Sequence, residues 1–351
     1  MNVLTNGGTM AAFRVVVTDD RHGQYREEND VLQSLGVEVE VYNLADAAHA
    51  AEVLRYADAV LLNLFPMTAE VIGSLSRCRI ISRYGTGYDN VDVEAATSAG
   101  IWVARVPDYA TEDASDHAIA LLLSCVRQIA AKDRHVRSGE WNVQLPSRVS
   151  RIDGKVLGIA GYGHVGRAVH RKLSGFPFSR ILIYDPHKDP AMIRSRGAEP
   201  VNFDEFLAES DYVSLHVPLN HETRHMIGRT ELAKMKDGAI LVNTARGAVI
   251  NEPELVNALS SGKLSAAGLD VFEQEPMVAT SQLRMLDNVV LTDHTGYYSE
   301  ESIGELKTKA AQNVLRVLTG NPPVSPVNLI PEQRNSSSFV PEFEITRSVR
   351  W

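Results

Sequence analysis

Residues 156–166 read Val-Leu-Gly-Ile-Ala-Gly-Tyr-Gly-His-Val-Gly, an apolar run that feeds directly into a GxGxxG turn. The run 156–160 suits a short buried strand, and beyond the turn Val165, Ala168, Val169 and Leu173 share one helical face. In that strand–turn–helix setting each glycine has a task. Gly161 permits the tight turn, Gly163 lets the backbone approach a pyrophosphate, and Gly166 permits close helix–strand packing. Tyr162, His164 and Val165 complete the turn, whose helix start offers free N–H groups and the positive end of a dipole to phosphates. About twenty residues further on, the next apolar run ends in Asp185, whose carboxylate can accept both adenosine ribose hydroxyls. The same carboxylate repels a 2′-phosphate, so the cofactor expected is NAD rather than NADP. Arg180 and Lys188 are the nearby cations that would temper that preference. A glycine turn by itself can be a packing device, but strand, helix and acid together favour the dinucleotide.

Outward from this turn the chain alternates strand-like and helix-like runs. Strands are predicted at 14–18, 37–42, 59–65, 79–82 and 101–106, then at 156–160, 181–184, 212–217, 239–243, 266–270 and 289–292. Helical spacing occupies 47–56 and 69–75, a long stretch at 115–132 and an amphipathic one at 299–318, with Trp141 in a loop. The fold class is α/β, with parallel sheets wrapped by helices. The segment after Asn328 lacks periodicity and reads as a poorly ordered arm.

The 351 residues suffice for two domains. At 44% hydrophobic and 23% charged, with net charge −9 and no Lys/Arg run, the composition argues against nucleic acid or an anionic membrane as partner. No apolar run approaches the ~20 residues needed to span a bilayer. Residues 1–13 lack the pattern of a signal peptide, and the only cysteines, Cys78 and Cys125, read as buried thiols of a cytoplasmic protein. No metal-ligand spacing is present.

Three polar clusters close later strands of the second series: Asn243-Thr244-Ala245-Arg246-Gly247, then residues 268–276 (GLDVFEQEP), then residues 291–296 (LTDHTG). Strand ends of this kind are where open α/β sheets place ligands. An Arg, a Glu and a His on successive strand ends are the parts needed to reduce a 2-oxo acid.

With these motifs in that order, the sequence resembles the D-2-hydroxyacid dehydrogenase family from about residue 14 to 328. The resemblance implies two doubly wound parallel-sheet domains flanking a cleft. A flavodoxin-like substrate domain would be discontinuous (12–106 and 297–328), a Rossmann NAD-binding domain would span 107–296, and 329–351 would be the tail. It implies a small 2-hydroxy or 2-oxo acid substrate and a homodimer built from the coenzyme domains. Arg246 would pair with the substrate carboxylate and keto oxygen, for which its planar fork suits it. His294 would be the general acid toward the keto oxygen and the base in reverse, a task imidazole suits because it changes charge near neutral pH. Glu275 would fix its tautomer; Glu273 competes, but the family places this carboxylate directly before the proline. Asp270 and Thr244 would hold the nicotinamide carboxamide. Residues 83–90 (RYGTGYDN) resemble the substrate loop, giving Arg83, Tyr84, Gly85, Thr86 and Gly87 as candidates, with backbone N–H groups at the two glycines forming an anion nest. Thr111 would lie near the cofactor, Val217 and Pro218 on its adenosine side, and Tyr297 at the substrate pocket.

Asp293 stands where the family usually carries proline, and a carboxylate there is expected to move the pH optimum upward. Residues 297–301 (YYSEE) resemble the subgroup of the C-terminal-binding proteins and some phosphoglycerate dehydrogenases. Formate dehydrogenase is disfavoured by Glu275 in place of glutamine, and phosphite dehydrogenase by Thr86 in place of lysine. The alternative reading is an NAD(H)-sensing binding scaffold similar to the C-terminal-binding corepressors, which retain the same triad.

Overall fold

The structure, a computed structural model, describes residues 13–142 and 149–330. Its two sheets are both parallel, as apolar strands joined by helices require. The first contains β1 (Val15–Val17), β2 (Glu40–Val41), β3 (Ala59–Leu62), β4 (Ile80–Arg83) and β5 (Trp102–Ala104), in the order β2-β1-β3-β4-β5. The second contains β6 (Val156–Ala160), β7 (Arg180–Tyr184), β8 (Glu199–Pro200), β9 (Tyr212–Leu215), β10 (Ala239–Asn243), β11 (Leu264–Leu269) and β12 (Val289–Leu291), in the order β12-β11-β10-β9-β6-β7-β8.

Each order reverses once, between β1 and β3 in the first sheet and between β6 and β9 in the second. Ligands of open α/β sheets bind at such points, beyond the carboxyl ends of the strands. Both reversals open onto the same cavity. His22 and Asn63 reach it from the loops after β1 and β3, and Gly161 and Val217 from those after β6 and β9.

The helix Glu300–Leu318, the last among the described residues, is capped by Ser299, whose side chain accepts from the Ser302 N–H. It returns to the first sheet, where Leu306, Ala310, Ala311 and Val314 pack with Val15, Val17 and Ile80. On the second sheet, Leu121, Leu122 and Cys125 of the helix Thr111–Arg127 join Leu157, Val169 and Val242 in one apolar layer.

Several boundaries differ from the sequence reading. The run 115–132 is two helices, Thr111–Arg127 and Ile129–Arg137, separated where Gln128 takes a left-handed φ of 55°. The strand expected at 37–42 contracts to two residues, and β8 is a two-residue edge strand too short for periodicity to reveal. Cys78 and Cys125 are buried and unpaired. Of the tail read at 329–351, all but residues 329 and 330 lie outside the described residues.

Candidate active site

β6 ends where the chain must turn under the end of β9. Gly161 has φ 88°, and a Cβ there would lie 2.6 Å from the His216 carbonyl oxygen, so both conformation and space require glycine. Gly166 packs its helix onto the turn, a Cβ there falling 2.0 Å from Gly161 O, whereas at Gly163 nothing lies within 4 Å. The turn therefore presents open backbone at its second glycine, as a pyrophosphate needs. Asp185 closes the far side, its Oδ2 accepting from Tyr162 N at 2.8 Å and its Oδ1 from His187 N at 3.0 Å. Tyr162 contributes backbone only: its ring is buried and its hydroxyl meets His170 Nδ1 at 2.7 Å. Arg180 is engaged at the opposite end of β7, where its Nε donates to Glu199 at 2.9 Å and it also pairs with Glu209, so it offers nothing to a 2′-phosphate. Lys188 lines the cavity, with His164, Val165, Thr111 and Pro218. The Thr244 hydroxyl is buried in the cavity wall without a protein partner, a polar atom that suits a bound carboxamide. These residues fit a dinucleotide.

Beyond them the cavity, of about 1690 Å³, reaches Arg246, Glu275 and His294. Gly247 brings two strand ends together, because a Cβ there would sit 1.8 Å from the Phe272 carbonyl carbon. That approach sets Arg246, after β10, beside the segment carrying Glu275, after β11. His294 has a left-handed φ of 58°, and its Nδ1 lies 2.6 Å from Glu275 Oε2. Glu275 Oε1 accepts from Phe272 N at 3.0 Å. Burial raises the Glu275 carboxyl, but the His294 hydrogen bond and neighbouring positive charge outweigh it and hold the group below its ordinary range. An ionised carboxylate only accepts, so Nδ1 carries the proton and Nε2 is left toward the cavity. Glu273 points elsewhere, to His225 Nε2 at 2.8 Å.

The substrate loop supplies charge from the other sheet. Arg246 Nε donates to Asp89 Oδ1 at 3.2 Å, and its Nη2 occupies the space a Cβ of Gly87 would fill. Arg83 is buried in the same wall, where its Nη1 donates to the Tyr84 carbonyl and its Nε has no partner. Burial and the nearby Arg246 charge lower the Arg83 pKa. Two loop expectations are corrected. The Gly85 N–H donates to Arg83 O at 3.0 Å, so it is not a free donor of an anion nest. The Tyr84 side chain packs in the core of the first sheet and donates to Glu28 Oε1 at 2.7 Å. Thr86 Oγ1 donates to Val106 O at 3.2 Å, and the Tyr297 ring stands edge-on to His294 with centroids 6.2 Å apart.

Asp270 is buried and accepts from Thr292 Oγ1 at 2.6 Å, Thr295 N at 2.9 Å and Gly296 N at 2.9 Å. Its carboxylate thus holds the loop that carries His294. Sequence reading missed Asp89 and Tyr109, the latter a neighbour of Tyr297 whose phenol burial pushes up to about 12. It also missed His216, a half-buried imidazole in the cavity wall whose desolvation pushes it down to about 4. Among the described residues no cluster suits a metal ion, and no helix is long and apolar enough to cross a membrane.

Fold and site together define a dinucleotide-dependent α/β protein with a guanidinium, an imidazole and a carboxylate gathered at one cleft. Residues 119–296 match the model of the D-isomer specific 2-hydroxyacid dehydrogenase NAD binding domain. A glyoxylate reductase of Korarchaeum cryptofilum is 43% identical over 266 residues, covering 75% of this chain and 80% of that protein. A D-3-phosphoglycerate dehydrogenase of Archaeoglobus fulgidus is 35% identical over 318 residues, 90% of this chain but 60% of its longer relative. The crystal structure of a glyoxylate reductase from Paecilomyes thermophila superposes with a TM-score of 0.82 at 34% identity, covering 91% of this chain and 99% of that one. The chain belongs to the D-isomer-specific 2-hydroxyacid dehydrogenase family and is an NAD-dependent oxidoreductase acting on CH–OH groups.

Proposed function

We propose that the protein interconverts a small 2-oxo acid and its D-2-hydroxy acid, with His294 as acid and base. The observation that carries this reading is the His294–Glu275 pair at 2.6 Å, opening onto the same cavity as Arg246. When bound, the nicotinamide supplies or accepts the hydride. Gly161, Gly163, His164, Val165 and Asp185 would hold the phosphate and ribose end, Thr111, Val217 and Pro218 would flank it, and Thr244 with Asp270 would meet the carboxamide. Arg246 would bind the substrate carboxylate and polarise the keto oxygen, while Arg83 adds a second positive group. His294 Nε2 would deliver a proton to that oxygen during reduction and remove it during oxidation, its charged form stabilised by Glu275. The bonding of Asp270 to the His294 loop leaves it at most one further acceptor direction for the cofactor.

The names of the relatives favour glyoxylate as the first substrate to try. Residues 13–106 and 297–328 would form the substrate domain, and 107–296 the coenzyme domain. A homodimer would form on the coenzyme domain, where Ile129, Val136, Trp141 and Met285 are exposed; a monomeric mass in solution would contradict it. Two buried unpaired thiols support a cytoplasmic setting.

The testing experiment follows NADH oxidation with glyoxylate, hydroxypyruvate, pyruvate, phenylpyruvate and phosphorylated 2-oxo acids. Turnover of at least one is the expected result. Tight NADH binding without turnover across the panel would favour an NAD(H)-sensing scaffold instead.

A further inference from the structure

A second histidine is wired to the loop that carries His294. His117, on the helix Thr111–Arg127, places Nε2 2.9 Å from Thr292 Oγ1 and 3.4 Å from Asp270 Oδ1. The Asp270 carboxylate already receives two backbone N–H groups, and as an ion it can only accept. The single hydroxyl proton of Thr292 therefore goes to Asp270, 2.6 Å away, and the Thr292 oxygen must accept from His117. Nε2 of His117 carries a proton.

The loop needs such anchoring. His294 sits at φ 58°, a conformation uncommon for any residue but glycine, and persists there only where its surroundings impose it. The N–H groups that follow it, of Thr295 and Gly296, are the ones that Asp270 holds. Gly296 seals the arrangement, since a Cβ there would lie 2.8 Å from Asp270 Oδ2 and 3.2 Å from His117 Cδ2.

We propose that His117 is a positioning residue for the acid–base step, fixing through Thr292 and Asp270 the backbone from which His294 presents Nε2. This rests on the reading of His294 as the proton carrier. His117 also ties that loop to the helix whose first residue, Thr111, stands in the cavity wall, so the same contact links the catalytic loop to the chain crossing between the two sheets.

The test uses the full chain with His117→Leu, which keeps bulk and removes the donor, and His117→Gln, which restores an N–H near Nε2. For the leucine variant kcat should fall about tenfold or more, while KM and the NADH Kd stay within about threefold; glutamine should recover most of the loss. Unchanged kcat in the leucine variant, or glutamine as impaired as leucine, would overturn the proposal. Long-range ¹⁵N–¹H correlation on the wild-type protein supplies a readout that needs no variant and no turnover. A proton on His117 Nε2 is expected, and an unprotonated Nε2 would sink the network. Should the wild-type chain reduce no 2-oxo acid, the acid–base reading fails, while the tautomer still decides whether His117 anchors the loop.

Discussion

Glu275 decides what His294 can do. Its carboxyl, held below the ordinary range despite burial, accepts from Nδ1 and so fixes the tautomer that leaves Nε2 toward the cavity. In Glu275→Gln, whose amide can present a donor or an acceptor, that tautomer is no longer fixed, and kcat should fall roughly 10²-fold or more. A kcat equal to wild type would show that Glu275 does not act through His294. Asp293 lies beside the same histidine and is bonded to Thr295 Oγ1 at 3.2 Å. Proline at that position should lower the pH optimum of turnover. An unchanged optimum in Asp293→Pro would contradict the expectation. At this scale the sequence was legible where a motif fixes spacing, as for Arg246, Glu275 and His294. Choosing Glu275 over Glu273 needed the family pattern, because both lie after one strand; the structure gives Glu273 to His225. Asp89 and His117 were not legible, since their partners lie 157 and 175 residues away in sequence.

The turn after β6 shows how an element fixes a site. Gly161→Ala would place a methyl group against backbone of the neighbouring strand end, in a left-handed conformation that alanine avoids. Backbone cannot swing aside as a side chain can, so a loss of about 1–3 kcal/mol is expected, with weaker NADH binding. Thermal denaturation and NADH titration check it, and a wild-type Tm with wild-type affinity would refute the crowding argument. The loop 292–296 is the counterpart at the acid end. Burial works against the Asp270 charge, but its bonds to His117, Thr292 and the loop N–H groups hold the carboxyl below its ordinary range. A depressed folded pKa stabilises the loop above the unfolded value, and that contribution disappears as pH falls through the folded one. Strands were read well wherever four or more apolar residues run together, as at β6 and β10. Short edge strands and the break at Gln128 escaped, because two residues show no period and a left-handed kink in Gln leaves no compositional mark.

At the scale of the molecule, two parallel sheets turn their order reversals toward one cavity, which joins the dinucleotide turn to the polar groups that would perform the chemistry. The parallel architecture followed from alternating runs. What periodicity could not show is which side chains of the first sheet face the second. The substrate loop illustrates this: its residues 83–87 are contiguous, yet the Tyr84 side chain turns into the core while the Arg83 guanidinium lies in the cavity wall. The division of labour within the cleft is the central claim, with coenzyme held by one set of residues and substrate by Arg246. Its most direct test compares kcat/KM for the best 2-oxo acid with NADH affinity, in wild type and Arg246→Ala. Loss of turnover by about 10³-fold or more, with the NADH Kd within about threefold, is the predicted result. An Arg246→Ala protein that keeps its turnover, or loses NADH binding in step with it, would contradict the account.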